Sequence, residues 1–354
     1  MSKPIVSVAM AVCNVERFLA EAIESILNQT FTDFEFQIVD YGSTDNSKSI
    51  ISSYAVRDGR VKYREIPPCD LPVARNASCA LAQGEFIAIM DADDISLPDR
   101  LSREVEYLQS HPQVSFIGGA VEWIDSSGRP FHIHRHPTDE RGIKNGLLTH
   151  NVFWHPTVFM RKDAFVSVGG YRSVFVCSHD YDLALRISDK YECANLDEVL
   201  VKYRVHPIQL TADRHIQQSL CKLAAQASAA ARRAGRPDLL DTVREINPAT
   251  LASLGVGETE QRNSVVSDGR AWIRNLMTAG EFAAALAGAR RILASNLDQV
   301  EPWQVSELYL SMAELYWREK KVWKCIASVA HAVLARPIVI GRPLKPLLQR
   351  LGLA

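Results

Sequence analysis

The chain of 354 residues carries little net charge, no ordered set of cysteines and no long apolar run. Lys and Arg number 40 against 41 Asp and Glu, a net charge of -1, so there is no electrostatic case for a nucleic-acid partner. The seven cysteines are scattered, without a C-x-x-C pair or metal-like spacing. Seven is odd, so at least one thiol lacks a partner within the chain, which suits a reducing compartment. No apolar stretch approaches the roughly 20 residues needed to span a bilayer. Met1-Ser2-Lys3-Pro4 leads directly into a strand-like segment with no signal-peptide pattern. The expectation is a cytoplasmic protein, at most peripheral at the inner face of the membrane.

What is present begins with Asp91-Ala92-Asp93, followed at once by Asp94. These residues end the apolar run Phe86 to Met90, which reads as a buried strand. The carboxyl ends of such strands are where open α/β sheets bind ligands. Acids this close repel one another unless a cation or a proton offsets them. A hard divalent ion carrying a diphosphate would do so. An acidic loop capping the helix that starts near Pro98 is the plainer alternative.

The first hundred residues alternate strand and helix signals. Ile5 to Val12, Phe34 to Val39, Val61 to Ile66 and Phe86 to Met90 read as strands. Between them, Glu16 to Gln29 places Phe18, Leu19, Ala22, Ile23, Ile26 and Leu27 on one helical face. A second helix starts at Asn46, and a third runs from Leu71 to Ala82 with Gly84 as its expected C-cap. Repeated βα units imply a mainly parallel, twisted sheet flanked by helices. Val114 to Gly118 and Ala120 to Ile124 then read as two strands, and His155 to Met160 as the start of another. His132, His134 and His136 share one face of an alternating segment. They could bind metal or stand solvated on an edge strand, and the second is the expected reading.

Six strings along the chain resemble glycosyltransferase family 2, in the family's order. They are SVAMAVCN (7–14), VDYGSTDNS (39–47), PVARNASCALAQGEFIAIMDADD (72–94), HPTVFMRKDAFVSVGGYR (155–172), HDYDLALR (179–186) and YRVHPIQLT (203–211). The resemblance implies a GT-A fold and a metal-dependent, inverting transfer of sugar from a nucleotide sugar, UDP by default, to a glycan or glycolipid acceptor. It implies nucleotide-sugar contacts at Ala11, Asn14, Asp40, Tyr41, Arg75, Asp91, Ala92 and Asp93. Asp93, Asp94 and His206 would hold Mn²⁺ or Mg²⁺, which stabilises charge on the departing diphosphate. Asp180 would be the base that takes the acceptor hydroxyl's proton, at a helix start where peptide dipoles favour its ionised form. Plainer readings make Asp180 a helix cap, Arg75 a surface arginine and His206 a structural histidine.

Two positions depart from the family pattern. Tyr41 stands where a second acid usually recognises the base, and His179 where an acid usually precedes the catalytic one. Both leave room for a non-catalytic GT-A-like protein that recruits partners. A nucleotidyltransferase is disfavoured because the loop after Val12 has no glycine. The domain division drawn from composition is 1–214 for the transferase, 215–260 for a helix and linker, and 261–354 for an all-α region. Apolar stripes there run through Phe282, Ala285, Leu286, Ala289 and Leu293; through Leu308, Met312, Leu315 and Tyr316; and through Trp323, Ile326, Ala330, Val333 and Leu334. The helices resemble tetratricopeptide hairpins or a plain bundle. The ending, Ile338 to Leu353, is basic and apolar and could rest on an anionic membrane or a protein partner.

Overall fold

The computed structural model describes residues 3–206, 210–295 and 297–336. The basic ending at 338–353 lies outside them. Four βα-type strands come first: β1 (Val6–Val12), α1 (Glu16–Leu27), β2 (Phe34–Asp40), α2 (Ser47–Arg57), β3 (Val61–Glu65), α3 (Leu71–Ala80) and β4 (Phe86–Ile89). β1 pairs in parallel with β2 and β4, and β2 with β3, so all four carboxyl ends leave the sheet on one edge. Register sets Val12 beside Asp40 and Ala9 beside Ile89. β2 and β4 are buried throughout and β1 nearly so, as expected of strands covered on both faces.

The chain continues through β5 (Ile95–Ser96), α4 (Arg100–Ser110), β6 (Val114–Ile124), β7 (Pro130–His134), α5 (Glu140–Gly146), β8 (Phe159–Arg161), α6 (Lys162–Ser167), α7 (His179–Ser188), β9 (Glu192–Arg204) and α8 (Leu210–Arg233). The nine strands form one sheet in the order β3-β2-β1-β4-β8-β6-β9-β5, with β7 on β6. β8 runs antiparallel to both β4 and β6, while β6 and β9 are parallel, so the sheet is mixed but mainly parallel at its core.

Several local expectations need correction. The two strands expected on either side of Gly118-Gly119 are one eleven-residue strand, β6. Those glycines do not break it, because the Leu200 side chain, and Asn195 with Phe153, fill the space a Cβ would take. Gly84 does not cap α3, which ends at Ala80 with Leu81 still in helical conformation. A Cβ at Gly84 would lie 2.8 Å from backbone atoms of Ile5, Val6 and Ser7, so close approach to β1 is what requires glycine there. His155–Thr157 is a 3-10 turn, with Pro156 inside it, and the strand starts at Phe159.

By internal contacts the chain forms two compact units, Met1–Arg204 with Ala224–Glu245, and Val205–Leu223 with Ile246–Ala354. The second unit holds α9 (Pro248–Ser253), α10 (Glu258–Thr278), α11 (Phe282–Leu293), α12 (Pro302–Arg318) and α13 (Val322–Ala335). The stretch read as linker therefore contains a helix, α9, whose first turn Asn247 caps. α10 packs on α11, α12 on α13, and both α10 and α11 touch α12. The first two apolar stripes mostly face this packing. The third does not: Trp323, Ile326 and Leu334 are exposed, and α13 packs through Cys325, Ser328 and Ala332.

One buried ion pair secures the end of β4. Arg100 and Glu104, both fully buried, bond at 2.9 Å, and the Arg100 guanidinium also donates to the Ile89 carbonyl at 2.9 Å. Burial pushes the Glu104 carboxyl up to about 7 even with Arg100 beside it. Arg100→Met should cost about 3–5 kcal/mol, because it strands a buried carboxyl and a carbonyl. Arg100→Met combined with Glu104→Leu should recover most of that in urea unfolding. Equal loss in both variants would show that the pair itself is not the cause.

Candidate active site

The acid turn 91–94 sits between β4 and β5. Met90 N–H donates to the Ala9 carbonyl at 3.1 Å, and Ile95 pairs with Lys202 of β9. Arg204, at the end of β9, ties the turn down. Its backbone N–H reaches Asp94 Oδ1 at 2.7 Å, its Nε the Asp93 carbonyl at 2.9 Å, and a further nitrogen Glu21 of α1.

Asp91 and Asp94 lie three residues apart in opposite electrostatic states. Burial opposes ionisation of Asp91, yet Arg75, helped by a hydrogen bond from His155, outweighs it and holds the carboxyl well below the usual range. Asp94 is 1% exposed, and its Oδ2 has no hydrogen-bond partner among the described residues. Burial, then Asp93 and Asp91, push the Asp94 carboxyl well above its usual range, against a smaller opposing effect of Arg204.

Arg75, on α3, is the centre of the arrangement. One terminal nitrogen donates to Asp91 Oδ1 at 2.7 Å. The other lies 2.8 Å from His155 Nε2 and 2.6 Å from His179 Nε2. A guanidinium only donates, so both imidazoles must offer a lone pair at Nε2 and carry their proton at Nδ1. His155 Nδ1 faces Asp91 Oδ1 at 3.3 Å, and its Nε2 also meets the Tyr171 hydroxyl at 2.9 Å. Burial, reinforced by Arg75, lowers both histidines, His179 well below its ordinary value. They remain neutral acceptors for a buried cation.

Asp180 lies in the first turn of α7, and its Oδ2 accepts from Asn151 at 2.9 Å. Arg75 bonds both Asp91 of the acid turn and His179, the residue before Asp180, so the acid turn and the start of α7 meet at one guanidinium. Tyr41, just after β2, is also within reach of Arg75. Asp40 is fully buried. Its Oδ1 accepts from Gly42 and Ser43 N–H groups at 3.0 and 2.9 Å, while Oδ2 has no partner among the described residues. Ala11 lies beside Val39 near the end of β1, and Ala92 is buried in the acid turn. Asn14 is spent on loop bracing: at φ 53° its Oδ1 accepts from Thr44 N–H at 2.8 Å. His206 follows β9 by two residues and belongs to the second unit. Sequence reasoning gave no role to His155, Asn151, Tyr203 or Arg204, although His155, Tyr203 and Arg204 stand inside the quoted strings.

Among the described residues no three His, Cys, Asp or Glu side chains converge on a metal position. The unpartnered Asp94 oxygen and the crowding of Asp93 and Asp94 fit a divalent ion whose remaining ligands come from a bound diphosphate, as magnesium sites are often completed.

The Arg75 cluster makes a pH-dependent contribution to stability. The folded Asp91 lies below its unfolded value of about 3.9, so its contribution is complete above that pH and lost as pH falls through the folded value. Arg75→Gln should therefore destabilise most near neutrality, by about 3 kcal/mol, and progressively less below pH ~4. Unfolding at a series of pH values checks this; a loss independent of pH would contradict it.

A sequence model described as "Glycosyl transferase family 2" matches residues 7–169. A glycosyltransferase of Methanocaldococcus jannaschii, named as uncharacterized, is 34% identical over 212 residues, 58% of this chain and 72% of the relative. The O-antigen biosynthesis glycosyltransferase WbnJ of Escherichia coli is 34% identical over 207 residues, 57% of this chain and 80% of WbnJ. Among solved structures, the mannosyltransferase PcManGT of Pyrobaculum calidifontis, in complex with GDP-Man and Mn²⁺, superposes with a TM-score of 0.51 at 19% identity. It covers 94% of this chain and 87% of its own. That likeness concerns the fold, which is GT-A. With its sheet, its carboxyl-edge acids and these relatives, the chain belongs to glycosyltransferase family 2 and is a glycosyltransferase.

Proposed function

We propose that the chain transfers a sugar, with inversion, from a nucleoside-diphosphate sugar to a hydroxyl of a growing surface polysaccharide or glycolipid. The observation that carries this reading is the shared Arg75: one of its terminal nitrogens donates to Asp91 Oδ1 of the acid turn at 2.7 Å and the other to His179 Nε2 at 2.6 Å, directly before Asp180 at the start of α7. Asp180 would take the acceptor proton as the acceptor oxygen attacks the anomeric carbon and the sugar–phosphate bond breaks. Asn151 holds one carboxylate oxygen, leaving the other for the acceptor. Asp93 and Asp94 would hold Mn²⁺ or Mg²⁺, which when bound offsets the charge gathering on the leaving diphosphate. Arg75 is fixed on Asp91 and keeps that end of the turn neutralised before any donor arrives. Asp40, with one buried oxygen unused, and Tyr41 beside it suit the nucleoside. UDP is the default base, and GDP, bound by the mannosyltransferase of similar fold, is its competitor. The O-antigen relative supports a polysaccharide acceptor. No helix among the described residues is long and apolar enough to cross a membrane. A cytoplasmic enzyme, peripheral at the inner face of the membrane, fits that.

The non-catalytic alternative rested on Tyr41 and His179. His179 has a defined task in holding Arg75, so its presence does not argue for lost turnover.

Two variants test the proposal. Asp180→Asn should keep nucleotide binding and lose transfer by roughly 10²–10⁴-fold. Transfer within a few-fold of wild type would place the base elsewhere. Asp93→Asn should abolish the Mn²⁺-dependent part of UDP or GDP binding in calorimetry, and unchanged affinity would remove Asp93 from the metal site.

A further inference from the structure

A strip of aromatic and imidazole rings leads away from the acids, and the chemistry above does not use it. Tyr203, on β9, lies within electrostatic reach of Asp94, Asp93, Asp91 and Asp180. Its ring centroid is 5.1 Å from that of Trp154. Trp154 is the hub: His134 lies 5.1 Å from it, and His136 is stacked on it at 5.5 Å and 28°. Trp123 stands behind, parallel to His134 at 5.9 Å and 11°. Its buried indole N–H has no hydrogen-bond partner among the described residues. Tyr203, Trp154, His134 and His136 are each partly exposed.

Two of the three histidines on this segment correct the expectation of solvated imidazoles, while His132 is exposed on the edge strand β7 as expected. His134 and His136 pack against indole rings, and burial, with the neighbouring imidazoles, lowers both, His136 to about 3. The strip is therefore uncharged near neutral pH. His132, His134 and His136 do not converge on a metal position either.

We infer that Tyr203, Trp154, His134 and His136 form a stacking lane for a sugar ring of the acceptor. The inference rests on the glycosyltransferase reading of Asp180. Its first support is position. In strand order the nucleoside candidates stand at β1 and β2, the acid turn follows β4, and the lane lies by β7 and β9, which carry His134 and Tyr203, with His136 just after β7 and Trp154 in the loop before the 3-10 turn, across the acids from the nucleoside side. Its second is chemistry. A pyranose presents a face of C–H groups, slightly positive, which complements the negative face of an indole or phenol ring. Neutral imidazoles can donate to or accept from hydroxyls at the ring's edge, and the Trp154 N–H, which donates to His134 Nδ1 at 3.4 Å, leaves His134 Nε2 as the donor toward such a hydroxyl. An uncharged lane of this kind suits a neutral sugar and offers no cation to a phosphate. Its third is continuity: Tyr203 precedes Arg204, whose N–H bonds Asp94 at 2.7 Å, and Asn151, three residues before Trp154, donates to Asp180 Oδ2 at 2.9 Å, so a ring stacked on Trp154 belongs to the molecule whose hydroxyl reaches Asp180.

Binding of methyl hexopyranosides and their disaccharides to the full chain is measured by saturation-transfer NMR, with Mn²⁺ and UDP or GDP present. Trp154→Ala should weaken sugar binding by roughly tenfold or more, with nucleotide affinity within twofold of wild type. Trp154→Phe, which keeps a ring and guards against misfolding, should restore most of it. His136→Asn should weaken it by a smaller factor. Sugar binding unchanged in Trp154→Ala, or no binding of any probe by the wild type, overturns the lane. Nucleotide affinity falling together with sugar affinity overturns it as well, because the rings would then serve the donor. If the lane binds sugar as described and the chain turns over no nucleotide sugar, the lane stands and the transferase reading falls.

Discussion

Everything in the site depends on how a run of acids survives burial at the end of β4. Two unit charges 4 Å apart interact by about 4 kcal/mol at an effective dielectric of 20, so Asp91, Asp93 and Asp94 cannot all be ionised there without help. Arg75 neutralises the first, and Arg204 braces the turn from the other side while leaving one Asp94 oxygen unused. Arg100, beneath, fixes the Ile89 carbonyl and so the point at which the turn starts. The outcome is asymmetric. Asp91 is paired with Arg75, while Asp94 keeps an oxygen that Arg204 does not reach. On the proposed reading, that imbalance is what a metal–diphosphate ligand would correct.

The βα half was legible because strands buried on both faces read as unbroken apolar runs, and helices between them show their own period. The rest of the sheet was harder to read. β9 mixes Glu192, Asp197, Glu198 and Lys202 with apolar residues, because exposed Asp197 and Glu198 fall at a register shift between buried stretches at 193–195 and 200–201, so no single period holds. β6 looked broken at Gly118-Gly119 because glycine usually weakens a strand; here neighbouring side chains fill the gap. The stripe on α13 shows the limit of periodicity. Apolar spacing names a face without saying whether anything covers it, and small residues turned out to face the neighbouring helix. Composition placed a boundary at 214, where the backbone of Arg214 leaves helical geometry and kinks α8; by contacts the helix is divided further along, Val205–Leu223 going with one unit and Ala224–Glu245 with the other.

The site divides in the same way. Asp91, Arg75 and Asp180 could be named because they stand in strings that resemble the family. Their partners could not, because each comes from a distant element: His155 from a 3-10 turn 80 residues after Arg75, and Asn151 from a loop 29 residues before Asp180. A lone histidine or asparagine carries no signal of the partner it will meet. Asn14 shows the converse: its motif position suggested a ligand contact, and the structure adds a bracing role that the motif did not signal, with Oδ1 accepting from Thr44 N–H.

His179 is the position where sequence and structure together say most. An acid beside Asp180 would add negative charge to a site already crowded with it, and it would bind Arg75 as an ion pair. A neutral imidazole accepts the same guanidinium proton at 2.6 Å without adding charge. Arg75 then keeps its full positive charge for Asp91, which has no other cation among its stated partners. Burial makes this stable: it lowers His179 and His155, so neither competes with Arg75 by becoming a cation itself. The substitution thus conserves the position of Arg75 while changing the charge around it. A departure from the family pattern that keeps the geometry and alters only the charge is what adjustment to a different donor or acceptor would require, and loss of catalysis would not require it.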